Sequence, residues 1–540
     1  MTGSGTRHAP TNSGYYRLMS ESGFAITGGS GSSRLPLDLG LPGEALGPQT
    51  AEGKLARKPL AWTELLQWAF SFPAMLGALL VGVVFVVGRL FIVDPDVWWH
   101  IKVGQDILQA RHFPTTDPYS FTVNGQPWIA YEWFGEIIWA VAHRLGGLRG
   151  MDALLILLGS AVVLSLYYFA TLRSGNSKAG FVAVAALLPL ATVPFTLRPQ
   201  MLGYLFLVLT LIAMERFRQG MYRAAWFLPA VFLVWVNTHG LFIIGLGVVF
   251  LYWIAGWKNF RLGQIEARAW TAAERTRLGF VFLLCLAVLP LTPYGTKLAL
   301  YPFDMAFGQP VNVANILEWQ AMPFALPGGK IFLGLVVLFI VLQTAFRFSW
   351  RIEELALFLF GMSMACLHVR FVLLFVPFSV PLFAAMLVRW VPGYNRAKDL
   401  YVVNGVLMAG VAVAMVVYFP SQASLKQTAA KTFPIGALEY LQKNPVPGPM
   451  FDSYGFGGYL VYSGQKVFID GRADVYERGG VLSDYQHITH AKPGALAVLQ
   501  SYGVRSCLVE PDETLTTLLA ASPEWHRVFA DNVSAVYVRQ

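Results

Sequence analysis

Several apolar runs in this chain exceed what a buried core helix needs. Met75 to Ile92, Leu154 to Leu172, Leu278 to Leu291 and Val402 to Phe419 approach the roughly 20 residues that cross a bilayer. Hydrophobic residues make up 55% of the 540 and charged residues 13%, against the roughly one quarter charged in soluble domains. The chain reads as a polytopic α-helical membrane protein. The first 58 residues are rich in Gly, Ser, Pro and Thr and are expected to be disordered. They lack the short apolar core of a signal peptide, so the first apolar run is expected to stay as an anchor.

About eleven spans are expected, at 72–92, 151–172, 179–197, 200–215, 224–237, 240–257, 278–292, 331–346, 352–368, 371–388 and 401–419. The stretch 133–143 is short and carries Glu136, and is expected to be a helix on or partly in the membrane surface rather than a span. With a cytoplasmic N-terminus every inner loop is basic: Arg173 and Lys178; Arg216, Arg218 and Arg223; Arg261 to Arg277; Arg347 and Arg351; Arg389 to Lys398. Loop asymmetry of that kind sets orientation in a bacterial inner membrane. It also accounts for the net charge of +9 without nucleic acid as a partner. Cys285, Cys366 and Cys507 have no metal-ligand spacing and read as small buried hydrophobes.

This orientation carries Asp94-Pro-Asp96, Arg198-Pro-Gln200, Asn237-Thr-His239, Asn315-Ile-Leu-Glu318 and His368-Val-Arg370 to one outer surface. Ionisable groups near lipid are costly, and their convergence marks a functional face. The tail at 432–540 should lie on the same side. Expected helices at 434–442, 480–488, 495–502 and 514–521 alternate with strands at 466–469, 504–509, near 528 and at 533–538, giving an α/β domain.

The first outer loop, 93–150, is too aromatic for disorder, with Trp98, Trp99, Trp128 and Trp133. Its paired carboxylates could hold a divalent cation or deprotonate an acceptor. The plainer alternative is that Asp96 caps a helix from Val97 to Ala110 while Asp94 is solvated. The plain reading of the tryptophans is a belt at headgroup depth.

Asp94-Pro-Asp-Val-Trp-Trp-His-Ile-Lys102 after the first span, Asp117-Pro-Tyr-Ser-Phe-Thr122 and Trp133-Phe-Gly-Glu136 resemble bacterial GT-C glycosyltransferases. More distantly they are similar to the catalytic subunit of oligosaccharyltransferase. The resemblance implies a GT-C type domain at 59–420, with outer loops 93–150 and 293–330, followed by the extracytoplasmic α/β domain. It makes Asp96 the base or metal ligand, with Asp94 and Glu318 assisting. Arg370, with His368, would bind the phosphate of a polyprenyl-phosphate or pyrophosphate sugar donor. Against phosphate binding stand snorkelling of Arg370 to the interface and pairing with a loop acid. His239, Arg198, Trp99, Asp452, Tyr454, Asp470 and Arg472 are candidates for substrate contact; a buried salt-bridged turn is the plainer reading of Asp470, Arg472 and Asp474.

Two departures stand out. Phe451-Asp-Ser-Tyr-Gly455 lacks the tryptophan pair of the oligosaccharyltransferase signature, which argues against protein N-glycosylation. Arg198-Pro-Gln200 stands where those enzymes carry acidic metal ligands, leaving only Asp96 and Glu318 for any metal. The expected function is sugar transfer from the lipid carrier to an extracytoplasmic acceptor. The alternatives are a non-catalytic lipid- or glycan-binding assembly protein and a transporter, the last disfavoured because no carboxylates lie mid-span.

Overall fold

The computed structural model describes residues 62–90, 92–192 and 195–540. The stretch expected to be disordered, 1–58, lies outside the described residues. Each of the expected spans falls on a helix. By length and composition four helices among the described residues suffice to cross a membrane: Trp133–Ser174, Gln200–Arg218, Pro327–Phe346 and Val369–Leu387. The number rises to six if the bent pairs Trp62–Ala69 with Phe72–Gly88, and Tyr401–Val417 with Gln422–Ala429, each form one span. Ser177–Ala191, Tyr222–Val236 and Phe242–Ala255 are apolar but shorter.

The helices that position the site are α1 (Phe72–Gly88), α2 (Asp96–Ala110), α3 (Trp133–Ser174), α4 (Ser177–Ala191) and α5 (Gln200–Arg218). Helix α3 breaks at Gly147, whose φ of 58° and ψ of −140° only glycine adopts readily. Its first part therefore separates from the apolar run behind it. One face of it packs closely on α2: a Cβ at Gly104 would stand 2.0 Å from the Glu136 carbonyl oxygen. Trp139 is fully buried and donates to the Leu197 carbonyl at 2.6 Å, fixing the turn that leads into α5.

Helix α5 has 19 residues, a length of about 28 Å, close to the hydrocarbon thickness. Its first residue lies beside Arg198 and its last turn carries Arg216 and Arg218. At that far end Arg173, Arg218 and Arg351 pair with Glu215, Glu353 and Glu354. The basic loops are thus knitted together at the end opposite Arg198. A three-stranded sheet, β1 (Phe260–Leu262), β2 (Ile265–Ala267) and β3 (Trp350–Arg351), joins them.

The tail forms a four-stranded sheet of order β4-β5-β7-β6, with β4 (Met450–Asp452), β5 (Ser506–Val509), β6 (Trp525–Ala530) and β7 (Ala535–Arg539). The first pair is parallel and the other two antiparallel. Expected helices appear at Ile435–Lys443, Val481–Thr489, Ala495–Ser501 and Thr514–Ala521. The expected strand 466–469 does not join this sheet. Val467 bridges Ser120 of the first loop instead, with its N–H donating to Tyr119 O at 3.3 Å and Phe121 N–H donating to Val467 O at 3.0 Å.

Loop and tail share one core. Trp99, Val103, Ile107, Tyr119 and Trp128 pack in the same cluster as Phe451, Phe456, Phe468 and Tyr476. Trp98 meets Tyr459 edge-on at 4.8 Å and Phe433 at 5.3 Å. The belt reading of Trp98, Trp99 and Trp128 is therefore corrected: each is at least 97% buried and fastens loop to tail. Whatever face of the membrane carries the loop also carries the tail.

Candidate functional site

Helix α2 begins with Asp96, and the plain capping assignment is exchanged between the two acids. Asp94 Oδ1 accepts the Asp96 backbone N–H at 3.0 Å, and Asp94 is only 4% exposed, not solvated. Asp96 uses its side chain elsewhere. Its Oδ1 accepts from Trp99 Nε1 at 3.1 Å, one helical turn on. A single guanidinium then collects three acids. Arg198 Nε donates to Asp94 Oδ2 at 2.7 Å, Nη2 stands 3.2 Å from Asp96 Oδ2, and Nη1 stands 3.0 Å from Glu318 Oε1.

Glu318 reaches this point from the loop 293–330. That loop is tied down by Glu477 of the tail, whose carboxylate accepts the N–H groups of Val311 and Asn312 at 2.9 and 2.8 Å. Burial pushes Asp96 up to about 6, with Asp94 and Glu318 adding to the rise and Arg198 opposing it. Arg198, then Arg370, holds Glu318 below the usual carboxylate range despite burial, the largest influence.

Beside this cluster lies a row of titratable groups. Glu132 Oε1 is 3.5 Å from His239 Nε2, its Oε2 is 3.6 Å from His100 Nε2, and His100 Nδ1 is 3.4 Å from Glu136. The Leu241 N–H donates to His239 Nδ1 at 3.1 Å, which places a neutral His239's proton on Nε2, facing Glu132. Burial pushes Glu132 up to about 8 and His239 down to about 3, with Arg370 also acting on both. His100 is likewise held neutral by burial. Glu132 and His100 were not among the sequence candidates. The one available signal was His100 at i+4 from Asp96, on the same face of α2.

Arg370 follows Ile352–Leu367 at a helix end. Among the described residues it forms no ion pair, and its guanidinium carbon stands 4.4 Å over the Trp319 ring, the residue after Glu318. His368 Nδ1 lies 2.5 Å from the Trp319 carbonyl oxygen, so it orients the loop beneath Arg370. Tyr454 also faces this region: burial raises its phenol, and Asp96, Arg198 and Glu318 all act on it.

The remaining tail candidates are fully buried. Arg472 is fully buried and pairs with Asp470 Oδ2 and Asp117 Oδ1, each at 2.6 Å. Its guanidinium also lies between the rings of Tyr119 and Trp128. Asp452 is fully buried and accepts the Phe468 N–H at 2.6 Å. Arg472 thus joins the tail to the first loop through Asp117, whereas Asp452 accepts within the tail, and neither they nor Asp470 expose side-chain surface.

A divalent ion fits poorly among these acids. Among the described residues no group of three or more His, Cys, Asp or Glu is arranged to hold one. The point where Asp94, Asp96 and Glu318 converge is filled by Arg198.

No family model matches the chain, and no curated protein matches it. Among solved structures it is similar to an oligosaccharyltransferase of Archaeoglobus fulgidus tethered with an acceptor peptide, at 11% identity, over 86% of this chain and 74% of that one, with a TM-score of 0.49. It is similar to ArnT from Cupriavidus metallidurans bound to undecaprenyl phosphate, at 16% identity, over 88% and 97%, with a TM-score of 0.48. It is also similar to the arabinofuranosyltransferase AftD from mycobacteria, at 13% identity, over 86% and 40%, with a TM-score of 0.48.

Proposed function

We propose that this chain is a membrane glycosyltransferase that moves a sugar from a polyprenyl-phosphate or pyrophosphate carrier to an acceptor on the face where loop and tail meet. The observation that carries the reading is the meeting of Asp94, Asp96 and Glu318 at Arg198, beside the guanidinium of Arg370, which forms no ion pair among the described residues. Carboxylates and such a cation on one side of a bundle suit a donor whose phosphate sits at the bilayer surface and whose tail stays in lipid.

In this reading Arg370 holds the donor phosphate through paired N–H donors. The acceptor hydroxyl or amine attacks the anomeric carbon, and the bond from that carbon to the phosphate oxygen breaks. The phosphate departs with the electron pair and stays neutralised by Arg370. The acceptor's proton passes to the Asp96 carboxylate, which is ionised above about pH 6. Arg198 and Trp99 keep Asp96 oriented throughout. The basic loops at the opposite end favour an extracytoplasmic placement of this face.

Saturation of the acids by Arg198 favours one rival, a non-catalytic binder of lipid phosphates. Complementation of a strain deleted for this chain separates the two. Transfer fails in both Asp96→Asn and Arg370→Gln strains, shown by a missing envelope glycan and an accumulated lipid-linked sugar. A binder tolerates Asp96→Asn.

A further inference from the structure

We infer that Arg198 is the resident cation of the carboxylate cluster, its guanidinium filling the place that a divalent metal ion would otherwise take. Three observations lead there, none of which needs the transferase reading. The acids come from separate segments, Asp94 and Asp96 from the first loop and Glu318 from the loop 293–330. Each uses a different nitrogen of the same side chain, at 2.7, 3.2 and 3.0 Å. The guanidinium is held in turn by its backbone: Arg198 lies between α4 and α5, in the turn fixed by the Trp139 bond to Leu197 and by Pro199 packed on Gly135.

The chemistry of the donor set agrees. Hard divalent ions want six or more oxygens at short range, with the ion at their centre. Here the centre is a planar, permanently charged fork whose geometry matches carboxylates. A divalent ion among the same oxygens would sit within a few ångströms of that fixed charge and would have to expel it. Arg198 is also only partly covered, its side chain 22% exposed. Arg198 is thus a positioning residue: it gathers two loops around one charge without any ion to acquire or lose.

The consequence is that removing Arg198 should create a metal site. Full-length protein in lipid nanodiscs, stripped with chelator, would be titrated with Mn2+ and followed by electron paramagnetic resonance. Wild type is expected to take up no stoichiometric Mn2+. Arg198→Gln, which frees three carboxylates, is expected to bind one ion at least about tenfold more tightly than wild type. Arg198→Gln combined with Glu318→Gln is expected to lose that gain. The inference is overturned by a stoichiometric Mn2+ on wild type that Asp96→Asn removes, or by a folded Arg198→Gln protein that gains no binding. If Arg198→Gln does not fold, the wild-type and Asp96→Asn titrations decide alone. Because the readout is metal uptake, failure of the transferase reading would leave it unchanged.

Discussion

Gly471 of the tail lies directly against Asp96 of the first loop: a Cβ at Gly471 would stand 1.7 Å from Asp96 Oδ1 and 2.9 Å from Trp99 Nε1. The tail therefore forms one wall of the carboxylate cluster, and the smallest residue is the one that fits there. Gly471→Ala should displace Asp96 and cut transfer more than about tenfold, while overpacking costs only about 1–3 kcal/mol of stability. Gly328, which has nothing within 4 Å, is the control. Gly328→Ala should leave rate and thermal midpoint unchanged.

Loop and tail are further joined by a buried charge group. Arg472→Met leaves Asp470 and Asp117 without their cation in a site with no solvent access. Removing one partner of such a group costs roughly 3–5 kcal/mol. Limited proteolysis should release the tail readily in this variant and not in wild type.

Glu132 makes stability depend on pH. Its folded-state carboxyl is raised to about 8 from an unfolded 4.5. The folded protein therefore holds a proton there that the unfolded chain has lost. That stabilising contribution is complete below about pH 4.5 and disappears as the pH climbs through 8. The thermal midpoint in detergent should fall between about pH 4.5 and 8, and Glu132→Gln should flatten that decline. An unchanged slope in the variant would assign it to other groups.

Arg370 stacks over a ring and forms no ion pair among the described residues, so its replacement should cost function more than folding. Arg370→Gln should weaken binding of undecaprenyl phosphate in nanodiscs by about ten- to a hundredfold, the worth of a charged hydrogen bond or two. Its thermal midpoint should stay within a degree or two of wild type, since partly exposed sites contribute little.

Much of this was legible from pattern alone. Apolar runs set the helices, and Asp94, Asp96, Arg198 and Glu318 stood out because charge beside lipid is expensive. What escaped depends on contacts between distant segments. Glu132 lies in an irregular loop, and its two histidines arrive from α2 and from the turn at 239. A tryptophan of the first loop looks the same in sequence whether it faces headgroups or, as Trp98 does, Phe433 and Tyr459. Strand β4 is three residues long and gives no alternation, while 466–469 has strand composition yet pairs only with the first loop.

Turnover of defined donors tests the account most directly. Purified protein in nanodiscs would be given a panel of undecaprenyl-phosphate-linked sugars and a membrane extract as the source of acceptor, and free undecaprenyl phosphate would be measured. Wild type should release it from at least one donor, in step with sugar appearing on an acceptor, and Asp96→Asn should release none. Equal release by wild type and Asp96→Asn, or no release from any donor by a protein that still binds undecaprenyl phosphate, would contradict the account.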